Sequence, residues 1–197
     1  MAGELLLSTL RHVWSTLAAL KINAALMGGI AVAAWHHLRN TRDVDLLVGV
    51  EPGDEPGFIR QLTAAGIRPL HDPPALRVGG SRILQTTYAP PSRFLDIRVD
   101  LFIAESEFHQ RALVRRLAIT MPGMDESVFI LTCEDLILFK LLAGRILDRA
   151  DCAYLLRANQ DALDLVYLKE WTTKLNVEKE LREAWQEAFG KQSSPPD

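Results

Sequence analysis

Leu5, Leu6, Leu10, Val13, Trp14 and Leu17 recur at helical spacing and predict an amphipathic helix over Glu4–Ala19. The short apolar run Ala24–Met27 ends at Gly28-Gly29, the pattern of a buried strand entering a tight turn. Ile30–Leu38 is apolar nearly all round and predicts a buried helix. After the polar connection Asn40-Thr41-Arg42, Asp43–Val48 is expected as a strand, and Gly57–Ala65 as a short helix ending at Gly66. Leu76–Val78 and Ile83–Tyr88 predict a hairpin across Gly79-Gly80-Ser81. Phe94–Phe102 alternates, with Asp96, Arg98 and Asp100 on one face and Leu95, Ile97, Val99 and Leu101 on the other. A helix over Glu105–Val114 and extended runs at Leu117–Met121 and Ser127–Leu131 follow.

From Thr132 onward no β-like run appears. Thr132 is the expected N-cap of a helix, with Asp135 three residues on, and helices are predicted near Glu134–Ile146, Arg149–Ala158, Leu163–Leu175 and Val177–Phe189. The fold expectation is therefore α/β (α+β): a mixed sheet with flanking helices over 1–131, a helical portion over 132–190, and a disordered polar tail over 191–197.

Bulk properties narrow this picture only a little. At 197 residues and 48% hydrophobic content the chain is long enough to bury a sizeable core without a metal or disulfide. Its two cysteines, Cys133 and Cys152, fall in no CxxC or Cys/His cluster, which removes support for zinc and suits a reduced, cytoplasmic protein. No apolar segment reaches membrane-spanning length, so no membrane association is expected. The net charge of −3 argues against wholesale coating of nucleic acid, although the run of Arg111, Arg115 and Arg116 is a candidate phosphate contact or simply a solvated face. His36 and His37 have no other His or Cys at ligand spacing and suit a helix end, while Trp171 and Trp185 lie at core-like spacing.

Chemistry concentrates elsewhere. Asp43 and Asp45 are two apart on one strand, so both carboxylates leave the same face. Two such charges about 4 Å apart repel by about 4 kcal/mol at an effective dielectric near 20, so a cation is expected between them. Oxygen-only ligands favour Mg²⁺, Mn²⁺ or Ca²⁺ over zinc, and Asp100 offers a third carboxylate from another strand. Gly28 and Gly29, at a strand-to-helix turn, would let backbone approach a phosphate. A solvated strand end paired with Arg39 or Arg42, and a plain turn, are the ordinary readings of the same residues. Their order along the chain favours the site.

Gly28-Gly29, a short helix and then Thr41-Arg42-Asp43-Val44-Asp45-Leu46-Leu47-Val48 resemble the first motif of the DNA-polymerase-β-like nucleotidyltransferase superfamily. Arg98-Val99-Asp100-Leu101-Phe102 is similar to its third-carboxylate strand. The segment Glu134–Arg145, with Asp148 and Asp151, resembles a further motif of the branch that includes AbiEii-type abortive-infection and toxin–antitoxin nucleotidyltransferases. The resemblance implies that Asp43, Asp45 and Asp100 are catalytic and hold Mg²⁺ or Mn²⁺ in a two-metal arrangement. It implies that Gly28, Gly29, Lys140 and Asp148 bind the nucleotide, and that Asp100 orients or deprotonates the acceptor. Gly29 stands where many members carry Ser, so that hydroxyl is missing, and Asp96 competes with Asp100 for the third place, although the apolar flanks favour Asp100.

The resulting expectation is transfer of a nucleoside monophosphate from an NTP to a hydroxyl on tRNA, protein or a small molecule such as an aminoglycoside. A toxin-like role with a cognate partner protein follows by analogy. The rival reading is an inactive nucleotide-sensing or antitoxin-like binding module, which the intact set Asp43, Asp45 and Asp100 disfavours. A phosphohydrolase is disfavoured because no histidine stands next to the cluster.

Overall fold

The chain gathers into two units, Met1–Ile30 with Asn40–Leu131, and Ala31–Arg39 with Thr132–Asp197. They are seen in a computed structural model that describes residues 2–37, 40–51, 53–78, 80–91 and 95–195. Leu38, Arg39, Gly79, Phe94 and the end of the tail, Pro196-Asp197, all named in the expectations above, lie outside the described residues.

The first unit comprises α1 (Ala2–Ala19), β1 (Asn23–Met27), the opening of α2 (Gly28–Ala34), β2 (Asp43–Gly49), α3 (Glu55–Ala64), β3 (Arg68–Pro69), β4 (Ala75–Val78), β5 (Ser81–Tyr88), β6 (Ile97–Ile103), α4 (Glu107–Arg115), β7 (Leu117–Ile119) and β8 (Val128–Ile130). Its mixed sheet runs β3-β5-β6-β2-β1-β8-β7, with β4 also on β5. β2 lies between an antiparallel β1 and a parallel β6. Ala25, Leu26, Val44, Leu46, Leu47 and Val48 are fully buried there, which is why these strands read as nearly unbroken apolar runs. Leu10, Val13 and Leu17 of α1 supply the apolar stripe that packs on β1, β2 and β6, and α4 packs on β1 and β2.

Where boundaries differ from expectation, long-range pairing is the reason. β6 begins at Ile97, not at 94, because Tyr88↔Ile97 is the last register pair with β5 and Ala89-Pro90-Pro91 then carries that strand away. Leu95, 68% exposed, and Asp96 consequently precede the strand instead of belonging to its faces. β3 has only Arg68 and Pro69, opposite Thr87 and Thr86, and carries no local strand signal. α2 ends at Ala34, and the chain turns at His36 with a φ of 70°.

The second unit is helical: α5 (Cys133–Ala143), α6 (Ile146–Ala158), α7 (Leu165–Leu175) and α8 (Glu178–Phe189), with the 31–39 segment grouped alongside. Thr132 caps α5 by accepting from the Asp135 N–H, and Gly144 ends it in the left-handed conformation at φ 65°. Nearly every α5 side chain is buried, because α6 and α7 both pack on it. Its acidic first turn also ties down the entry to α7. Tyr167 Oη donates to Asp135 Oδ1 at 2.6 Å and the Asp164 N–H to Glu134 Oε1 at 2.9 Å. Trp171 and Trp185 are core residues.

Candidate active site

β2 presents Asp43 and Asp45 on one face, and the parallel register sets Asp45 opposite Asp100 and Asp43 opposite Arg98 of β6. Neighbouring strands lie about 4.8 Å apart, so the backbone positions of three acids and one arginine stand side by side on one face. On the other side Asp45 pairs with Met27, the last residue of β1, which delivers Gly28 to the carboxylate. Gly28 has a φ of 61°, and a Cβ there would fall 2.5 Å from Asp45 Cγ and 2.7 Å from its Cβ. A side chain at 28 is excluded twice, by conformation and by space. Asp96 is exposed and outside the strand, so Asp100, 7% exposed, is the carboxylate that β6 brings to Asp45.

The charges on this face are held by definite partners. Arg98 Nε donates to Asp100 Oδ1 at 2.9 Å, and Thr41 Oγ1 donates to Asp43 Oδ1 at 2.9 Å. The hydrogen bond to Asp100, opposed by partial burial and helped by the charges of Asp100, Asp43 and Asp45, raises the Arg98 pKa above its ordinary value. Arg98 was not among the residues expected to matter. Its place two residues before Asp100 on an alternating strand was the available signal.

The oxygen-only donor set of Asp43, Asp45 and Asp100 fits a hard divalent cation. Among the described residues, however, no three His, Cys, Asp or Glu side chains stand close enough together to hold an ion. Asp100 is turned toward Arg98 and Asp43 toward Thr41. Asp43 and Asp45 are both partly exposed, so the face is open to solvent.

A second cluster lies within the helical unit. Lys140 of α5 is 5% exposed, with its Nζ 3.1 Å from Asp148 Oδ1 and 2.7 Å from Asp151 Oδ2. Arg145 adds a bond from Nε to Asp148 Oδ2 at 2.6 Å. His37 Nε2 lies 3.5 Å from Asp151 Oδ1, and its ring stacks on Tyr154 at 3.9 Å. Burial pulls the Asp148 carboxyl up, but the Arg145 hydrogen bond and Lys140 outweigh it and hold it below the ordinary carboxylate value. The expected nucleotide contacts Lys140 and Asp148 are thus found bonded to each other. His37, read as a helix-end residue, sits beyond the end of α2 against an acid of α6.

The basic run is elsewhere in the first unit. Arg116 Nη2 donates to Asn23 Oδ1 at 3.0 Å, and its guanidinium lies over the Phe129 ring at 4.6 Å. Asn23 opens β1 and Met27 closes it, so Arg116 sits about 13 Å along the strand from the carboxylate face. A cavity of about 440 Å³ opens at that far end, where Arg82 pairs with Glu55 and Glu105, and Arg77 with Glu105. Burial pushes the Cys133 thiol up to about 12 and raises Cys152 as well, so both are inert packing residues.

With this geometry in view, the sequence matches over residues 12–196 the family described as nucleotidyl transferase AbiEii toxin, type IV TA system. The chain belongs to that family. No curated protein sequence matches it. Among solved structures, the chain is similar to an antigenic nucleotidyltransferase-like protein from Paracoccidioides brasiliensis, with a TM-score of 0.53, 18% identity, and coverage of 93% of this chain and 94% of that one. It is also similar to the antibiotic-resistance factor ANT(2″)-Ia, with a TM-score of 0.58, 14% identity, and coverage of 91% and 95%. At these identities the likeness speaks for the nucleotidyltransferase fold, and AbiEii membership for transferase chemistry. No helix among the described residues is long and apolar enough to cross a membrane.

Proposed function

We propose that this AbiEii-family chain transfers a nucleoside monophosphate from an NTP to an acceptor hydroxyl, using Mg²⁺ or Mn²⁺ held by Asp43, Asp45 and Asp100. The observation that carries the reading is the register that sets Asp45 beside Asp100 with Asp43 on the same face, closed at one side by Gly28. A bound divalent cation would neutralise the triphosphate and acidify the acceptor hydroxyl. The remaining work belongs to the chain. Asp100 orients the acceptor and takes its proton as the acceptor oxygen bonds to the α-phosphorus. The α–β bridging bond then breaks, and pyrophosphate leaves with that electron pair. Gly28 and Gly29 leave the backbone open where the triphosphate would lie. Catalysis on this scheme is positioning and electrostatics, with no covalent enzyme intermediate.

Lys140 and Asp148 enter the reading as nucleotide-site residues, supported by the motif they share with the family. In the structure Lys140 is committed to Asp148 and Asp151 within the helical unit. The acceptor class is tRNA, a protein side chain or a small molecule, and a toxin of this family would be controlled by a cognate partner protein.

The test is Mg²⁺-dependent labelling of a total cell extract with each α-labelled NTP, wild type beside Asp45→Asn. Label in one RNA, protein or small-molecule species with wild type alone is the expected result and identifies nucleotide and acceptor together. Label that Asp45→Asn deposits equally well would remove the carboxylate face from the mechanism.

A further inference from the structure

The carboxylate face already contains a cation of its own. Arg98 lies on the same face as Asp43, Asp45 and Asp100, is bonded to Asp100 at 2.9 Å, and feels the charges of all three acids. Its side chain is nevertheless 49% exposed, whereas that of Asp100 is 10% exposed. The acid is anchored while the guanidinium ends in solvent, so the bond can open without disturbing the core. A divalent ion among the same acids would repel a guanidinium held at Asp100, which weakens the Arg98–Asp100 bond as the ion arrives. Once displaced, Arg98 remains within a side-chain length of the ion, and its planar fork suits a phosphate.

We propose that Arg98 is a built-in stand-in for the divalent cation: it holds Asp100 before the ion arrives, and is displaced by the ion onto the phosphates of the substrate. Arg98 is on this account a positioning residue in the metal-free protein and a phosphate contact in the loaded one. The inference rests on the metal-binding reading of Asp43, Asp45 and Asp100. It explains why the three acids sit on neighbouring positions of the sheet yet do not converge as a cage.

The experiment is a Mn²⁺ titration followed by electron paramagnetic resonance, on wild type, Arg98→Ala, Arg98→Lys and Asp45→Asn, with metal-free thermal melts of each. Removing a competing cation should tighten Mn²⁺ binding by Arg98→Ala ~5-fold, the factor that about 1 kcal/mol makes. Arg98→Lys should fall between it and wild type. Metal-free Arg98→Ala should melt lower than wild type, and saturating Mn²⁺ should close the gap. Affinity of the Mn²⁺-loaded protein for a non-hydrolysable NTP should drop in Arg98→Ala. An arginine that stayed on Asp100 would also repel the ion, so tighter Mn²⁺ binding counts for the stand-in only together with the loss of NTP affinity in the Mn²⁺-loaded protein, which a merely structural arginine would not cause. Equal or weaker binding by Arg98→Ala, in a protein whose wild-type binding is abolished by Asp45→Asn, overturns the stand-in and leaves the metal site standing. No Mn²⁺ binding by either wild type or Arg98→Ala overturns both.

Discussion

Substituting Gly28 by alanine puts a methyl group where the Asp45 carboxylate stands, on a backbone at φ 61°. Left-handed backbone at a non-glycine residue costs about 1–3 kcal/mol, and here Asp45 must also move. Gly28→Ala is therefore expected to lower the urea midpoint and to abolish nucleotidyl transfer. Gly53→Ala, with a φ of 95° but nothing within 4 Å of its Cβ, isolates the backbone part: it should cost stability and spare transfer. If Gly28→Ala turned over like wild type, the close approach of residue 28 to Asp45 would have no catalytic meaning. Sequence alone put Gly28, Asp43 and Asp45 forward because the strand period and the glycine pair are local signals. It preferred Asp100 to Asp96 on its apolar flanks alone and passed over Arg98, since the place of Asp96 outside the strand and the pairing of Arg98 depend on where β5 ends and how β6 registers against β2. Those are non-local facts that no short window of residues contains.

At the scale of elements, α5 and α6 are joined through charges that neither helix could bury alone. Lys140→Met keeps the volume but removes the ammonium that lies between Asp148 and Asp151, 2% and 3% exposed. Loss of one partner in a buried pair costs about 3–5 kcal/mol, and a urea melt of Lys140→Met should show a loss of that size. Asp148→Asn adds a pH signature. Because the folded carboxyl sits below its ordinary value, the unfolded chain binds the proton more readily, and stability from this group rises with pH. It is fully present above the unfolded value of about 3.9 and fades as pH falls through the lower folded one. The stability gap between wild type and Asp148→Asn should be widest near neutrality and narrow below about pH 4. A gap independent of pH would mean that the charge on Asp148 contributes nothing to folding. The helix itself was legible from Thr132 as cap, but it was expected to run to Ile146, whereas Gly144 in the left-handed conformation stops it at Ala143. Its ion pairs were not legible, because a lysine on an apolar helix looks the same in sequence whether it snorkels to water or meets acids on the next helix.

Over the whole molecule, a sheet with one open carboxylate face and a helical unit with its own buried charge cluster give two independent ways to lose activity, and they separate in a living cell. Membership of a toxin family predicts that expression without a cognate partner slows growth. Asp45→Asn removes a partly exposed charge and leaves the core strands untouched, so it should accumulate as wild type does and leave growth normal. Lys140→Met should also relieve growth, but through reduced abundance, since a loss of about 3–5 kcal/mol consumes much of the roughly 5–15 kcal/mol by which a domain is stable. Growth rate and immunoblot signal read together distinguish the two. Normal growth at full abundance places the defect in chemistry, and normal growth at low abundance places it in folding. Slow growth with abundant Asp45→Asn would show that the toxic effect comes from something other than nucleotidyl transfer, and would move interest to the mixed-charge cavity at the far end of β1, which contains none of the three aspartates.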